Sequence, residues 1–297
     1  MFNSNNQIVD TNQSAGNPLA GSSETIRKLS VKEREWLAGI IDGDGNLDIQ
    51  NLKNYNIKRT LKQIRITQHP RDSKILYKVK DLLGGKIRSK GKLYIIWTIS
   101  TKELMTNCLN ELNGHIRLKV ESFKEACKLS NITYIESNYT VEPDSAYLSG
   151  LIDTDGSIVF NSSGNKIDVV LEFQENEYSS KLDLSKVIPD TKVTVYRLQK
   201  RNQTADKIFY SIRFTYQGVD NMLPLYQYFL QNRLYSDFKF YRAMKIKRFL
   251  ELRCFYKYAK DSPEYKLYID FLKDFFTHMN EQKSLPPYLT NKLQIMI

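Results

Sequence analysis

The spacing of apolar positions changes several times along the chain, and each change marks an element. Apolar residues from Trp36 to Ile41 are packed at helical density, and Ser30 with Glu33 forms the S-x-x-E capping box that starts a helix. This helix ends in "DGDG", after which "NLDIQNL" alternates polar and apolar residues, as a half-buried strand does. A second strand is predicted over 61–67, closed by Gln68. A helix follows near 72–83, then strands at 86–88 and 93–99, then helices near 101–112 and 119–129.

The order then starts again. A helix led by Asp144 or Ser145 as its cap runs into "SIVFNSS", then a strand at 167–173 closed by Gln174. A helix is expected near 179–187, strands at 192–200 and 207–215, and helices near 218–231 and 238–258. Each half reads α-β-β-α-β-β-α-α, a mixed α+β class. The two windows that open the halves share six of nine residues: "LAGIIDGDG" (37–45) and "LSGLIDTDG" (148–156), 111 positions apart. That offset is the size of a small domain, so the chain reads as a fused duplicate. The halves are assigned to 30–129 and 145–258, joined by a linker at 130–144. Residues 1–29, rich in Asn, Ser and Gly, read as a disordered leader, and 259–297 as a C-terminal helical extension. Gly45 and Gly156 stand where a left-handed residue often ends a helix.

Composition narrows the function. A net charge of +11 with a pI of about 9.3 points to an anionic partner, nucleic acid above all. The three cysteines, Cys108, Cys127 and Cys254, are odd in number and lack CxxC spacing, which argues against a disulfide framework or a zinc finger. The histidines His69, His115 and His278 form no metal-binding motif, and no apolar run is long enough to span a membrane.

The conspicuous chemistry is a pair of acids at each helix end: Asp42 and Asp44, Asp153 and Asp155. A helix C-terminus carries partial negative charge and unpaired carbonyls, so carboxylates are misplaced there unless something compensates. Residues two apart lie about 200° apart around a helix, so the two acids of each pair must face differently. Gly39 and Gly43, spaced i, i+4, line one helix face and permit close backbone approach; Gly150 and Thr154 repeat the pattern.

The two windows resemble those of the double-motif, monomeric LAGLIDADG homing endonucleases. The resemblance spans residues 30 to about 258 and is most detailed in the first half, at "RITQHPRDSK", "LLGGKIRSKGK" and "RLKVESFKEA". It implies two pseudo-symmetric αββαββα halves packed through the motif helices, with two antiparallel β-sheets forming a DNA-binding saddle. It implies Asp44 and Asp155 as metal ligands, joined by the carbonyls of Gly43 and Thr154, and leaves Asp42 and Asp153 to structural hydrogen bonds. Gln68 and Lys119, and in the second half Gln174 and Lys239, match the polar residues kept around the metals; Glu175 is an alternative to Gln174. The expected cofactor is Mg²⁺, with Mn²⁺ or Ca²⁺ able to occupy the same sites, Ca²⁺ without cleavage. The expected reaction is a double-strand cut in a long non-palindromic DNA target, leaving short 3′ overhangs. Splicing of the host intron RNA as a maturase is the alternative or second activity, and the expected compartment is an organelle, the mitochondrion before the chloroplast.

Period-2 alternation assigns the strand faces. In the first half Asn46, Asp48, Gln50, Asn54, Gln63, Arg65, Thr67, Lys86, Arg88 and Lys90 are expected to face DNA. In the second half the candidates are Ser157, Asn161, Arg197, Gln199, Arg201 and Arg213. These side-chain types suit base edges, Arg for guanine and Asn or Gln for adenine. Lys53, Lys58 and Lys92, at hairpin tips, are expected on phosphates.

Overall fold

The computed structural model describes residues 28–51, 59–202 and 207–277. The first half runs α1 (Val31–Asp44), β1 (Gly45–Asn51), β2 (Arg59–Gln68), α2 (Ser73–Leu83), β3 (Lys86–Lys90), β4 (Tyr94–Ile99), α3 (Lys102–Leu112) and α4 (Val120–Leu129). The second runs α5 (Tyr147–Asp155), β5 (Ser157–Asn161), β6 (Lys166–Gln174), α6 (Glu177–Lys181), β7 (Val193–Asn202), β8 (Lys207–Tyr216), α7 (Val219–Gln231) and α8 (Asp237–Leu252). α9 (Pro263–Phe276) follows. The sheets are antiparallel and ordered alike, β1-β2-β4-β3 and β5-β6-β8-β7. This is the α+β architecture of two αββαββα halves packed through α1 and α5.

The capping box forms as expected: the Ser30 hydroxyl accepts from the Glu33 amide, and Glu33 accepts from the Ser30 amide. At α5 neither Asp144 nor Ser145 is the cap: the helix starts from Ala146, which has no side-chain cap, and Glu35 of α1 accepts from the Ala146 amide, so one half helps hold the start of the other's motif helix. The glycines that end α1 and α5 are extended, not left-handed, with φ of −68° and −80°. What demands glycine there is space. A Cβ on Gly45 would lie 2.6 Å from the Ile41 carbonyl oxygen, and one on Gly156 would lie 2.5 Å from the Ile152 Cα.

Two other expectations shift. The helix expected over 179–187 ends at Lys181, and the irregular segment beyond it buries Leu182, Leu184, Val187 and Ile188. Leu29, placed in the leader by composition, is buried in the core; residues 1–27 lie outside the described residues. Of the C-terminal extension, α9 buries Tyr268, Ile269, Leu272 and Phe275 and clamps onto α8, where Phe249 stacks near Phe271 (5.6 Å). The Arg242 guanidinium of α8 sits over Phe238 and Phe275 and donates to the Ile158 carbonyl (2.8 Å), tying α8 and α9 to β5. Among the described residues no helix is long and apolar enough to cross a membrane.

Candidate active site

α1 and α5 approach until backbone meets backbone. A Cβ on Gly39 would lie 2.4 Å from the Tyr147 carbonyl oxygen, and one on Gly150 would lie 2.2 Å from that of Trp36. One turn further on, a Cβ on Gly43 would lie 2.0 Å from the Thr154 hydroxyl, which donates to the carbonyls of Gly150 and Leu151. The small-residue face read in the sequence is therefore the contact itself. It delivers the two helix C-termini side by side.

The first acid of each pair is buried and fully engaged. Asp42 accepts the backbone N–H groups of Arg117 (2.7 Å) and Lys119 (2.9 Å) and the Tyr147 hydroxyl (2.7 Å). Asp153 accepts the N–H groups of Tyr235 (2.9 Å) and Ser236 (2.9 Å) and the Trp36 indole (3.0 Å). The arrangement is reciprocal: each motif helix sends an aromatic donor into the other helix's structural acid. Trp36 and Tyr147 occupy equivalent places in the repeat, 111 positions apart. Sequence reasoning missed this pair, although the offset that aligned the aspartates aligns these donors too. Burial pushes the Asp153 carboxyl up to about 6, against the donors that surround it.

The second acids lie at the open end. A Cβ on Gly43 would be 3.1 Å from Asp155 Oδ2, so Asp155 reaches across to the end of α1. Burial lifts both carboxyls above the ordinary carboxylate range. The negative charge of Asp44 adds to the rise at Asp155, and the ammonium groups of Lys119 and Lys239 oppose it at both. Lys119 Nζ donates to the carbonyls of Gly43 (2.6 Å) and Gly45; Lys239 Nζ donates to those of Ile152, Asp153 and Thr154, each at 2.8 Å. Both lysines thus neutralise the negative ends of the motif helices. Burial lowers the pKa of each, and the surrounding aspartates hold it up.

Gln68 Nε2 donates to Asp44 Oδ2 at 2.7 Å, as its placement near the acid required. Gln174 is not its counterpart. Strand register aligns Asn46↔Arg65 with Ser157↔Val170, and Ile66↔Trp97 with Leu171↔Phe214, so the position equivalent to Gln68 is Phe173. Gln174 is exposed on the other face of β6. Glu175 pairs with Arg197 at 3.1 Å instead of approaching Asp155. The two terminal glutamines misled because the strands they end are offset by one residue.

The open face of the first sheet carries the side chains read from alternation: Asn46, Asp48, Gln50, Gln63, Arg65, Thr67, Lys86, Arg88 and Lys90. A bulge at Lys62 preserves the phase, because Asp48 pairs with Gln63 while Ile49 pairs with Leu61. Asp48 accepts from Gln50 (3.0 Å) and Gln63 (2.9 Å), which presets their amides. Asn54, Lys53 and Lys58 lie outside the described residues; Lys92 is exposed at the β3–β4 turn.

In the second sheet Ser157, Asn161 and Arg213 hold the open face, but Arg197, Gln199 and Arg201 do not. β7 pairs them with Ile212, Tyr210 and Ile208, on the side of the buried Phe214 and Tyr216. The open-face residues of β7 are Thr194, Tyr196, Leu198 and Lys200. Val193 and Val195, paired with the buried Tyr216 and Phe214, set the phase of β7. Glu172, also missed, anchors this face. It accepts from Arg213 (3.0 and 2.8 Å) and Ser211 (2.7 Å) and pairs with Lys200.

Residues 37–129 match the family model for LAGLIDADG endonucleases. An intron-encoded DNA endonuclease of Dictyostelium discoideum, ai2a, is 26% identical over 261 residues, covering 83% of this chain and 76% of that protein. An intron-encoded RNA maturase of Saccharomyces cerevisiae, bI4, is 32% identical over 138 residues, covering 46% of this chain and 20% of that one. The fold is similar to that of the meganuclease I-SmaMI bound to its uncleaved DNA target in the presence of calcium ions. The TM-score is 0.51 at 11% identity, over 82% of this chain and 98% of that one.

Proposed function

We propose that this chain, which matches the LAGLIDADG endonuclease family model over residues 37–129, is an intron-homing enzyme of that family, cutting both strands of a long non-palindromic DNA target as a monomer. The observation that carries the proposal is the convergence of Asp44 and Asp155 at two adjoining helix ends between two polar sheet faces. Two acids, one per half, suit two strands, and an asymmetric pair of sheets suits a target without a two-fold axis. Short 3′ overhangs and an organellar site of action, the mitochondrion first, follow from the same family reading.

The donor set fits a hard divalent cation. Two neighbouring carboxylates, the charge of Asp44 raising the proton affinity of Asp155, together with the carbonyls of Gly43 and Thr154, are oxygen ligands that leave positions for water and phosphate. Among the described residues no third carboxylate, His or Cys joins them. Mg²⁺ bound there would polarise the phosphodiester and acidify a water molecule. The chain's own residues do the rest. Gln68 fixes the Asp44 carboxylate. Lys119 and Lys239 cancel the helix-end charge and set positive charge beside the phosphate, where negative charge grows during in-line attack. The open sheet faces hold the duplex in register through side chains suited to base edges and phosphates.

The test is incubation of the purified protein with Mg²⁺ and a library of intron-insertion junctions. A double-strand cut that chelation abolishes is expected. Asp44→Asn should lose double-strand cleavage while retaining DNA binding, and full cleavage by that variant would remove Asp44 from the metal. Similarity to an RNA maturase over 138 residues favours a second reading, in which the protein aids splicing of its host intron. Faster splicing of that intron's transcript on addition of protein would support it.

A further inference from the structure

The two acids at the helix ends are not equivalently held. Asp44 is fixed by the Gln68 amide at 2.7 Å. The position of Gln68 in the second sheet belongs to Phe173, which packs near Phe214 (6.4 Å between ring centres), and the Asp155 carboxylate accepts no hydrogen bond among the described residues. The lysines do not make up the difference, because each spends its hydrogen bonds on backbone carbonyls. A ligating carboxylate that loses its hydrogen-bonding partner typically costs 10- to 100-fold in metal affinity or rate.

We propose that the two half-sites work at unequal rates, with Phe173 as the determinant, so that the DNA is cut in sequence through a nicked intermediate and always on the same strand first. The inference rests on the endonuclease reading. The half built on Asp44 and Gln68 cuts its strand first; the Asp155 half follows about 10- to 100-fold more slowly. Gln68 is thereby a positioning residue acting through Asp44, and its absence from the second half is the cause of the delay.

The experiment uses a supercoiled plasmid carrying a target recovered from the junction library, with the two strands labelled separately. The wild-type protein should accumulate open circles nicked on a single strand before linear product appears. Phe173→Gln should shorten that lag by speeding the slow strand alone, and Gln68→Leu should slow the fast strand alone. A second readout is independent of cleavage: calorimetric titration of Ca²⁺ into the protein–DNA complex. Two unequal sites are expected in the wild type, drawn closer together by Phe173→Gln. Equal strand rates with direct conversion to linear product would overturn the proposal, and they can be read from the wild type even if the Phe173 variant fails to fold. Absence of all cleavage would instead remove the endonuclease reading, leaving the calorimetry to judge whether the two sites differ.

Discussion

Replacing Gly39 by Ala tests the claim that the helix contact positions the acids. The new Cβ would stand 2.4 Å from the Tyr147 carbonyl oxygen, 2.8 Å from the Leu151 nitrogen and 3.0 Å from the Gly150 carbonyl carbon. All three are backbone atoms of α5, so no rotamer change relieves the clash, and the helices must part at the crossing. Overpacking of a tight contact costs about 1–3 kcal/mol, and the rigidity of the neighbours puts this site at the upper end. Alanine recovers about 1 kcal/mol in helix propensity, leaving a net loss of about 2 kcal/mol. Urea unfolding should show this as a lower midpoint with unchanged slope, and thermal melting as a fall of about 4–8 °C. Gly91→Ala is the control. Gly91 has φ of +66° and nothing within 4 Å of an added Cβ, so it should lose only about 1–2 kcal/mol, from backbone strain. A Gly39 variant as stable as the wild type would refute the argument that backbone contact sets the separation of Asp44 and Asp155.

Tyr147→Phe removes the hydroxyl from buried Asp42 but keeps the ring beneath the Arg117 guanidinium (4.4 Å); a loss of about 1.5–3 kcal/mol is expected in denaturant unfolding, and none would mean the reciprocal bonds are idle. Glu172 is held at a pKa of about 2, since hydrogen bonds from Lys200, Ser211 and Arg213 outweigh the opposing effect of its burial. A depressed carboxyl stabilises the fold above its unfolded pKa near 4.5, and that stability is lost as pH falls toward 2. With solvent screening the contribution is about 1–2 kcal/mol, so Glu172→Gln should flatten the acid limb of a stability-versus-pH curve by that amount. Arg88 lies on the open face of the first sheet with no ion pair among the described residues. Arg88→Ala should reduce the salt dependence of DNA binding by about one unit of log–log slope if Arg88 meets a phosphate, and an unchanged slope would place it off the backbone.

What was legible in the sequence follows from which physical signals are local. The motif helices, their small-residue face and the four aspartates could be read because a helix face and a duplicated window are written in consecutive residues. The faces of β1, β2 and β3 could be read because Leu47, Ile64 and Ile66 keep one phase, and the bulge at Lys62 lies beyond the residues that set it. β7 was misread because its apolar residues change phase between Val195 and Leu198. Only pairing with β8 shows that the valines lie over the core. The short α6 was overextended because Leu182, Leu184, Val187 and Ile188 bury themselves from an irregular segment, which no single period describes.

The acids stand out in the sequence, but their surroundings do not. A carboxylate at a helix C-terminus is an anomaly visible in one dimension, and it demands a cation or hydrogen-bond donors wherever the chain folds. Which donors answer the demand is decided across the sheet and between the halves. Asp42 and Asp153 are answered by backbone amides from distant loops and by Tyr147 and Trp36 of the opposite helix. Asp44 is answered by Gln68, two strand positions beyond the partner of Gly45. Asp155, with Phe173 in that position, accepts no hydrogen bond among the described residues and has only the charge of the two lysines beside it. A one-residue difference in strand register therefore separates a glutamine that holds a carboxylate from one that faces solvent. The asymmetry of the candidate site is thus a property of pairing that the two matching sequence windows conceal.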